Sequence, residues 1–195
     1  MKKLLLISAF SLALAACGTN ETSIQQDEDE KAKAKTEETA TASEADAKEA
    51  DIWTYYENAT WSEDYKGLKT DIQKVVVSDK APGMDDDGNE ITTSAVGVKF
   101  KIENTTEGKF VTYPDQATLV TSTGEQVDAD MIYSEHIGGE IDKGVIKEGD
   151  VIFYLERGEA EKIEWVKLTW DTREGSEDNY DTETKTFEVE LLLKK

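Results

Sequence analysis

The sequence predicts an all-β protein whose folded part is an antiparallel β-sandwich. Three observations lead there. From residue 52 onward, apolar and polar residues alternate in several runs, the period of half-buried strands. Gly-containing turn signals separate those runs. No window in this region repeats at a long helical period, and roughly seven short strands over about 140 residues suit two packed sheets. A small barrel is the architectural alternative.

The chain begins with Lys2 and Lys3, an uncharged, mostly apolar run from Leu4 to Leu14, and then Ala15 and Ala16. This is the layout of a secretory signal peptide. A helical run of that length covers only about 16 Å, too short for an ordinary membrane span. Cys17 is the single cysteine, so no intramolecular disulfide can form and an apolar core must carry the fold. A free thiol in an oxidising compartment is a liability unless its sulfur is already committed.

The stretch Leu14-Ala15-Ala16-Cys17 resembles the bacterial lipobox in order and spacing. That resemblance implies a diacylglycerol on Cys17, removal of residues 1–16, and a further acyl group on the new N-terminus. Two or more acyl chains give stable anchoring. Gly18 stands where an aspartate would mark inner-membrane retention in a Gram-negative lipoprotein. Only Arg157 and Arg173 are arginines among the 22 basic residues, a bias that points to an AT-rich genome and a Gram-positive host. The expected location is the extracytoplasmic face of the cell membrane.

Residues 17–51 comprise the anchor cysteine and an acidic linker. From Gly18 the linker carries 11 acids and 4 bases, and Ile24 is its one large apolar residue. Such a segment cannot bury enough surface to offset its ordering entropy, so a disordered tether with a reach of about 30 Å is expected. Residues 52–195 form the expected β-sandwich domain.

Within that domain, "AVGVKFKIEN" sets Val96, Val98, Phe100 and Ile102 against Lys99, Lys101 and Glu103. "TFEVELLL" sets Phe187, Val189, Leu191 and Leu193 against Glu188 and Glu190. "IQKVVV" and "VIFYL" are further strand-like runs. In "KIEWVKLTW" the apolar phase switches between Trp165 and Val166, which predicts a bulge or a crossing between sheets. "ATLVTSTGEQVDA" predicts a hairpin around Thr123-Gly124. Pro82-Gly83, Asp87-Gly88, Gly138-Gly139 and Glu148-Gly149 predict further turns.

"VGVKFKIENTTEGKF", "ATLVTSTGEQV" and "GVIKEGDVIFYLERGEAEKIEWVKL" together resemble a family of Gram-positive lipoproteins with a telokin-like, immunoglobulin-type sandwich of unknown function. The resemblance covers residues 68–193. It implies an extracytoplasmic binding or interaction role and supplies no catalytic residues.

The chain has 43 acids and 22 bases, a net charge of −21, of which −16 falls in residues 52–195. Such a surface repels phosphate backbones, which argues against a nucleic-acid partner, and it attracts metal ions or basic peptides. His136 is the single histidine. It reads as a surface or turn residue, since neither a Ser-His-Asp triad nor an ordinary zinc site is assembled around it. No Gly-rich phosphate loop follows a strand, and no cofactor is expected. No carboxylate pair stands out for glycoside hydrolysis.

Two stretches stand out as candidate sites. "MDDDGNE" offers Asp85, Asp86, Asp87, Asn89 and Glu90 as hard oxygen ligands for Ca²⁺, without the EF-hand spacing. Glu177, Asp178 and Asp181 form a second acidic loop. "DIWTYYENATWSEDY" offers Trp53, Tyr55, Tyr56, Trp61 and Tyr65 either as a first strand packed on the core or as an exposed contact surface. The Asn-x-Thr triplets at Asn58 and Asn104 read as accidental. The expected function is that of a membrane-anchored, non-enzymatic binding sandwich with an extracytoplasmic protein partner. A cell-wall glycan-binding module and a Ca²⁺-stabilised sandwich are the alternatives.

Overall fold

The computed structural model describes residues 52–85 and 87–194. The expected signal peptide, Cys17 and the expected linker lie outside the described residues, as does Asp86. The chain forms eleven strands: β1 (Thr54–Tyr56), β2 (Trp61–Tyr65), β3 (Leu68–Met84), β4 (Glu90–Asn104), β5 (Phe110–Thr112), β6 (Thr118–Thr121), β7 (Gln126–Asp128), β8 (Gly139–Ile141), β9 (Ile146–Leu155), β10 (Trp165–Glu174) and β11 (Thr184–Leu192). Three-residue 3₁₀ turns lie at Pro114–Gln116 and Ala160–Lys162.

The strands make two antiparallel sheets. In the first, β1 and β2 both pair with one edge of β3, and the order continues through β4 to β9. In the second, β10 is central. β11 lies on one side of it, and β5 and β6 share the other, with β8 beyond β5 and β7 beyond β6. β3, β4 and β9 thus occupy the A, B and E positions of an immunoglobulin-type sandwich, and β6, β10 and β11 occupy C, F and G. The chain crosses between sheets after β4, after β8 and after β9. The all-β sandwich expected from the sequence is the observed architecture.

The core lies between the sheets. β4 contributes Val96, Val98, Phe100 and Ile102, β9 contributes Val151, Phe153 and Leu155, and the facing sheet contributes Val166, Leu168, Trp170, Phe187 and Val189. Trp170 stacks on Phe187 at 4.9 Å between centroids, and Phe100 meets Trp170 edge to face at 5.5 Å. Such pairs add about 0.5–1.5 kcal/mol each beyond area burial.

Of the two readings of the apolar phase switch at Trp165, the crossing between sheets holds and the bulge does not: the chain leaves β9 of the first sheet, Ile163 ends the 3₁₀ turn Ala160–Lys162, and β10 starts in the second sheet at Trp165. Other local expectations are corrected. A register shift falls instead in β3 between Ile72 and Lys74, so that Thr70 and Ile72 point inward and then Val75 and Val77 do. Pro82-Gly83 is not a turn. It lies inside β3, where Pro82 pairs with Thr92 and Gly83 with Ile91, and the hairpin continues to a tip at residues 85–89. Glu148-Gly149 is not a turn either, because it lies inside β9. A Cβ on Gly149 would come within 2.7 Å of the Ile137 side chain, so glycine there admits the segment that crosses it. The hairpin at Thr123-Gly124 forms as expected, with Gly124 at φ +83°.

Candidate functional site

Strand register places Tyr55, Val76, Gly97 and Ile152 side by side across β1, β3, β4 and β9. Val96 and Val98 point into the core, so Gly97 and its neighbour in phase, Ala95, face the opposite, outer side of the sheet. These two small residues on the central strand make a floor, and larger side chains on the flanking strands make walls. The result is a trough along β4. A hollow of about 330 Å³ lies between Trp53 and Tyr55 on one wall and Ile152 on the other, over Val76 and Gly97. A second hollow of about 160 Å³ adjoins it and shares Trp53 and Ile152, with Tyr133, Tyr154 and Pro82 closing its far side.

The β9 wall is built by a segment outside the regular strands. Residues 130–137 dock on the free edge of β9. The Asp130 amide donates to Ile152 O (2.8 Å), the Glu135 amide donates to Asp150 O (2.9 Å), and the Ile152 amide donates to Ser134 Oγ (2.9 Å). This covers an edge that would otherwise be open to pairing. The Asp130 carboxylate accepts from the amides of Ile132 and Tyr133, both at 2.8 Å, which fixes the turn that presents Tyr133. Tyr133 meets Tyr154 edge to face at 5.5 Å. Tyr154 Oη donates to Pro82 O (2.8 Å), and burial, then the Tyr133 and Asp130 charges, push its phenol up to about 12.

One end of the trough is charged. Lys74, Lys99 and Asp150 occupy the next register row on the same face. Lys74 Nζ lies 5.4 Å from the Tyr55 ring centroid, and Lys99 Nζ is 3.3 Å from Glu148 Oε1. The Asp150 amide donates to Glu135 Oε2 (2.7 Å) at the β9 edge, and that oxygen lies on the Gly149 side of the strand, away from the trough.

The five aromatic residues singled out in the sequence are divided. Trp53 and Tyr55 line the trough. Tyr56 is buried, and Trp61 and Tyr65 pack against the core. Trp61 lies 5.7 Å from Trp170 and 5.4 Å from Phe187, and Tyr65 lies 6.5 Å from Phe110. A single aromatic face from Trp53 to Tyr65 does not form, because alternation in β1 turns Tyr56 inward and the phase of β2 turns Trp61 and Tyr65 inward. Sequence reasoning missed Tyr133 and Tyr154. A signal was available for Tyr154: β9 is apolar on both faces, with Val151, Phe153 and Leu155 in one phase and Ile152 and Tyr154 in the other. A strand of that kind is covered on both sides.

Of the acidic candidates, Asp85 and Glu177 take part in the chain's own turns. Asp85 Oδ1 accepts from the amides of Asp87 (3.0 Å) and Asn89 (2.8 Å), and Asn89 Nδ2 donates to Asp85 Oδ2 at 3.0 Å. The Asn89 side chain, with these amides, holds the Asp85 carboxyl below its ordinary value. Asp87, Asn89 and Glu90 are exposed around this tip. Among the described residues no three His, Cys, Asp or Glu side chains converge as a metal site. In the β10–β11 loop, Asp178 and Asp181 are exposed and Glu177 is tied in. Arg173 donates to Glu177 O (2.9 Å) and Asn179 O (3.2 Å), and Tyr113 Oη donates to Glu177 Oε1 (3.0 Å). His136 is exposed. Asn104 is fully buried and structural. It donates to Gly108 O (2.8 Å) and Ile141 O (3.0 Å) and accepts from Thr106.

No family model matches the chain, and no curated protein matches it significantly. Solved structures with a similar chain path include two proteins of unknown function. One is a functionally unknown protein from Listeria monocytogenes EGD-e, with 11% identity over 72% of this chain and 86% of that one, at a TM-score of 0.51. The other is a conserved hypothetical protein from Bacillus anthracis, with 12% identity over 68% of this chain and 96% of that one, at a TM-score of 0.41, too low to bear on the fold. The likeness to the Listeria protein is one of fold alone, and it places the chain among antiparallel β-sandwiches.

Proposed function

We propose that the protein is a lipid-anchored, non-enzymatic binding domain on the outer face of the cell membrane, and that its trough over β4 takes a segment of an extracytoplasmic protein. The trough is the observation that carries the reading. Its floor lies on paired strands, its walls are aromatic, and its few charged groups sit at one end, the composition of a binding cleft. The lipobox-like stretch ending at Cys17 supports the location. The ring arrangement favours a protein over a glycan. Three of the four rings are not presented as free flat platforms for a sugar: Lys74 lies over Tyr55, and Tyr133 and Tyr154 cross at 89°.

The test is photo-crosslinking in cells, with p-benzoylphenylalanine replacing Tyr55 or, as a control on the other sheet, Thr186. The expected outcome is a discrete protein adduct from position 55 that position 186 does not give, and loss of that adduct when Trp53→Ala is added. Adducts to glycan alone, or no adduct, would overturn the reading. Cys17→Ser should release the chain from washed membranes, and retention would remove the anchor from the proposal.

A further inference from the structure

We infer that the outer edge of β11 takes an extended segment of a partner protein as an added strand, with lysine or arginine opposite Glu188 and Glu190. This surface is separate from the trough and does not depend on it. β11 runs from Thr184 to Leu192 in unbroken register with β10, and among the described residues it pairs with no other strand. The Tyr113 amide donates to Asp171 O, so Asp171 directs its backbone toward β5. Alternation then turns the backbone of Trp170 and Thr172 toward β11, where their partners Phe187 and Lys185 face them. The N–H and C=O groups of Thr186, Glu188 and Glu190 therefore point away from the sheet, and no described residue bonds them.

The edge of β9 is covered by residues 130–137. β11 has no such cover, and no proline, glycine or bulge interrupts it. The other strands at the sheet borders, β1, β2, β7 and β8, have three to five residues. β11 thus offers strand addition a long, regular ladder.

Charge selects the occupant. Phe187, Val189 and Leu191 enter the core, and Thr186, Glu188 and Glu190 stand on the outer face. Their cross-strand neighbours on β10 are Asp171, Thr169 and Lys167. Thr186 Oγ1 donates to Asp171 Oδ1 (2.6 Å), and Lys167 lies beside Glu190, which leaves Glu188 without a cation across the ladder. Lys185 shares the inward phase of Phe187, where it meets Glu63 Oε1 at 3.0 Å and lies over the Phe187 ring. The same glutamates oppose a second copy of this chain. Two-fold antiparallel pairing in full overlap sets Glu188 against Glu188, and the register centred on Val189 sets Glu188 against Glu190. The charge of −16 on residues 52–195 opposes every register. An incoming strand with basic residues at alternate positions meets both glutamates. The residue between them points to the inner side beside buried Val189, where an apolar group is matched.

The experiment pans a random dodecapeptide display library against the full chain purified in detergent, and repeats the selection with Glu188→Pro. Proline removes the edge amide at that position and is tolerated on an edge strand whose N–H faces solvent. Retained peptides should carry lysine or arginine at alternate positions around an apolar residue. Their binding should fall about tenfold with Glu188→Pro and about fivefold with Glu188→Gln, weaken further at high salt, and be unchanged by Trp53→Ala. Hydrogen exchange at the amides of Thr186, Glu188 and Glu190, followed by NMR, should slow about tenfold when peptide is bound. Glu188→Gln and the exchange measurement cover the case in which Glu188→Pro fails to fold. Peptides that protect these amides but bind Glu188→Gln equally well would overturn the basic partner. Peptides that leave these amides unprotected, or no retained peptide, would overturn strand addition.

Discussion

Val76 and Gly97 face each other across the β3–β4 ladder, and a Cβ on Gly97 would lie 2.8 Å from Val76 Cγ2. The missing side chain leaves room for the trough floor. Gly97→Ala should therefore cost about 1–3 kcal/mol, because a valine is too stiff to yield without strain. Val76→Ala should recover part of that loss in the double variant, an interaction readable from urea midpoints in a double-mutant cycle. Additive effects of the two changes would show that the contact is not what glycine relieves.

The two tryptophans nearest the N-terminal end of the domain should behave oppositely. Trp61 lies among Trp170 and Phe187 and packs on the core, so Trp61→Ala should cost about 3–5 kcal/mol. Trp53 lines an open cleft, so Trp53→Ala should cost about 1 kcal/mol or less while removing the crosslink from position 55. Chemical denaturation of both variants decides this, and equal costs would contradict the division of the aromatic stretch.

Asn104 ties two segments together: the turn that follows it, through Thr106 and Gly108, and β8, through Ile141. Asn104→Ala should destabilise by about 2–4 kcal/mol, because it leaves buried carbonyls without a donor. Asn58→Ala, at an exposed position, should be neutral within about 0.5 kcal/mol. Thermal unfolding of the pair tests the contrast.

The alkaline limb of stability should report Tyr154. Its folded pKa is about 12, against an ordinary value near 10. The unfolded chain therefore loses this proton first, and the contribution, complete below pH 10, is lost as pH rises toward 12. Tyr154→Phe should flatten that part of the curve in urea titrations at successive pH values. An unchanged slope would show that the phenol does not titrate differently in the folded state.

The acid limb should report Asp79. Burial would raise its carboxyl pKa, but the Ser94 hydroxyl (2.7 Å) and the Ala160 amide (2.6 Å), with the Glu161 amide and the Lys162 charge, outweigh burial and hold it below the ordinary value. Its stabilisation is complete above its unfolded pKa and is lost as pH falls through the lower folded one. Asp79→Asn should lower stability at neutral pH and reduce the loss on acidification, again by urea titration. Parallel curves for the variant and the parent would refute this.

Much of the sandwich was legible because a strand's inward face is written locally. Val96 to Ile102 and Phe187 to Leu191 alternate, and each run became a strand with that face inward. The phase changes were harder to read. The shift between Ile72 and Lys74 lies inside a β-rich run and leaves no turn residue to mark it. The shift at Trp165 looks the same in sequence but comes from a 3₁₀ turn. Pro82-Gly83 and Glu148-Gly149 carry turn composition yet lie in strands, since partner strands supply the pairing that local preference does not.

By itself, the sequence determined an all-β chain, a core without disulfides, a strongly acidic surface, and a lipobox-like cysteine ahead of an acidic linker. All of these follow from composition and from patterns a few residues long. Only the tertiary structure decided which aromatic residues are core and which line a cleft. Trp53, Tyr55, Gly97, Tyr133, Ile152 and Tyr154 come from distant parts of the chain, and they meet because register across four strands, and a segment docked on the edge of β9, bring them together. Long-range pairing of that kind depends on which strands become neighbours, and no local period carries that information.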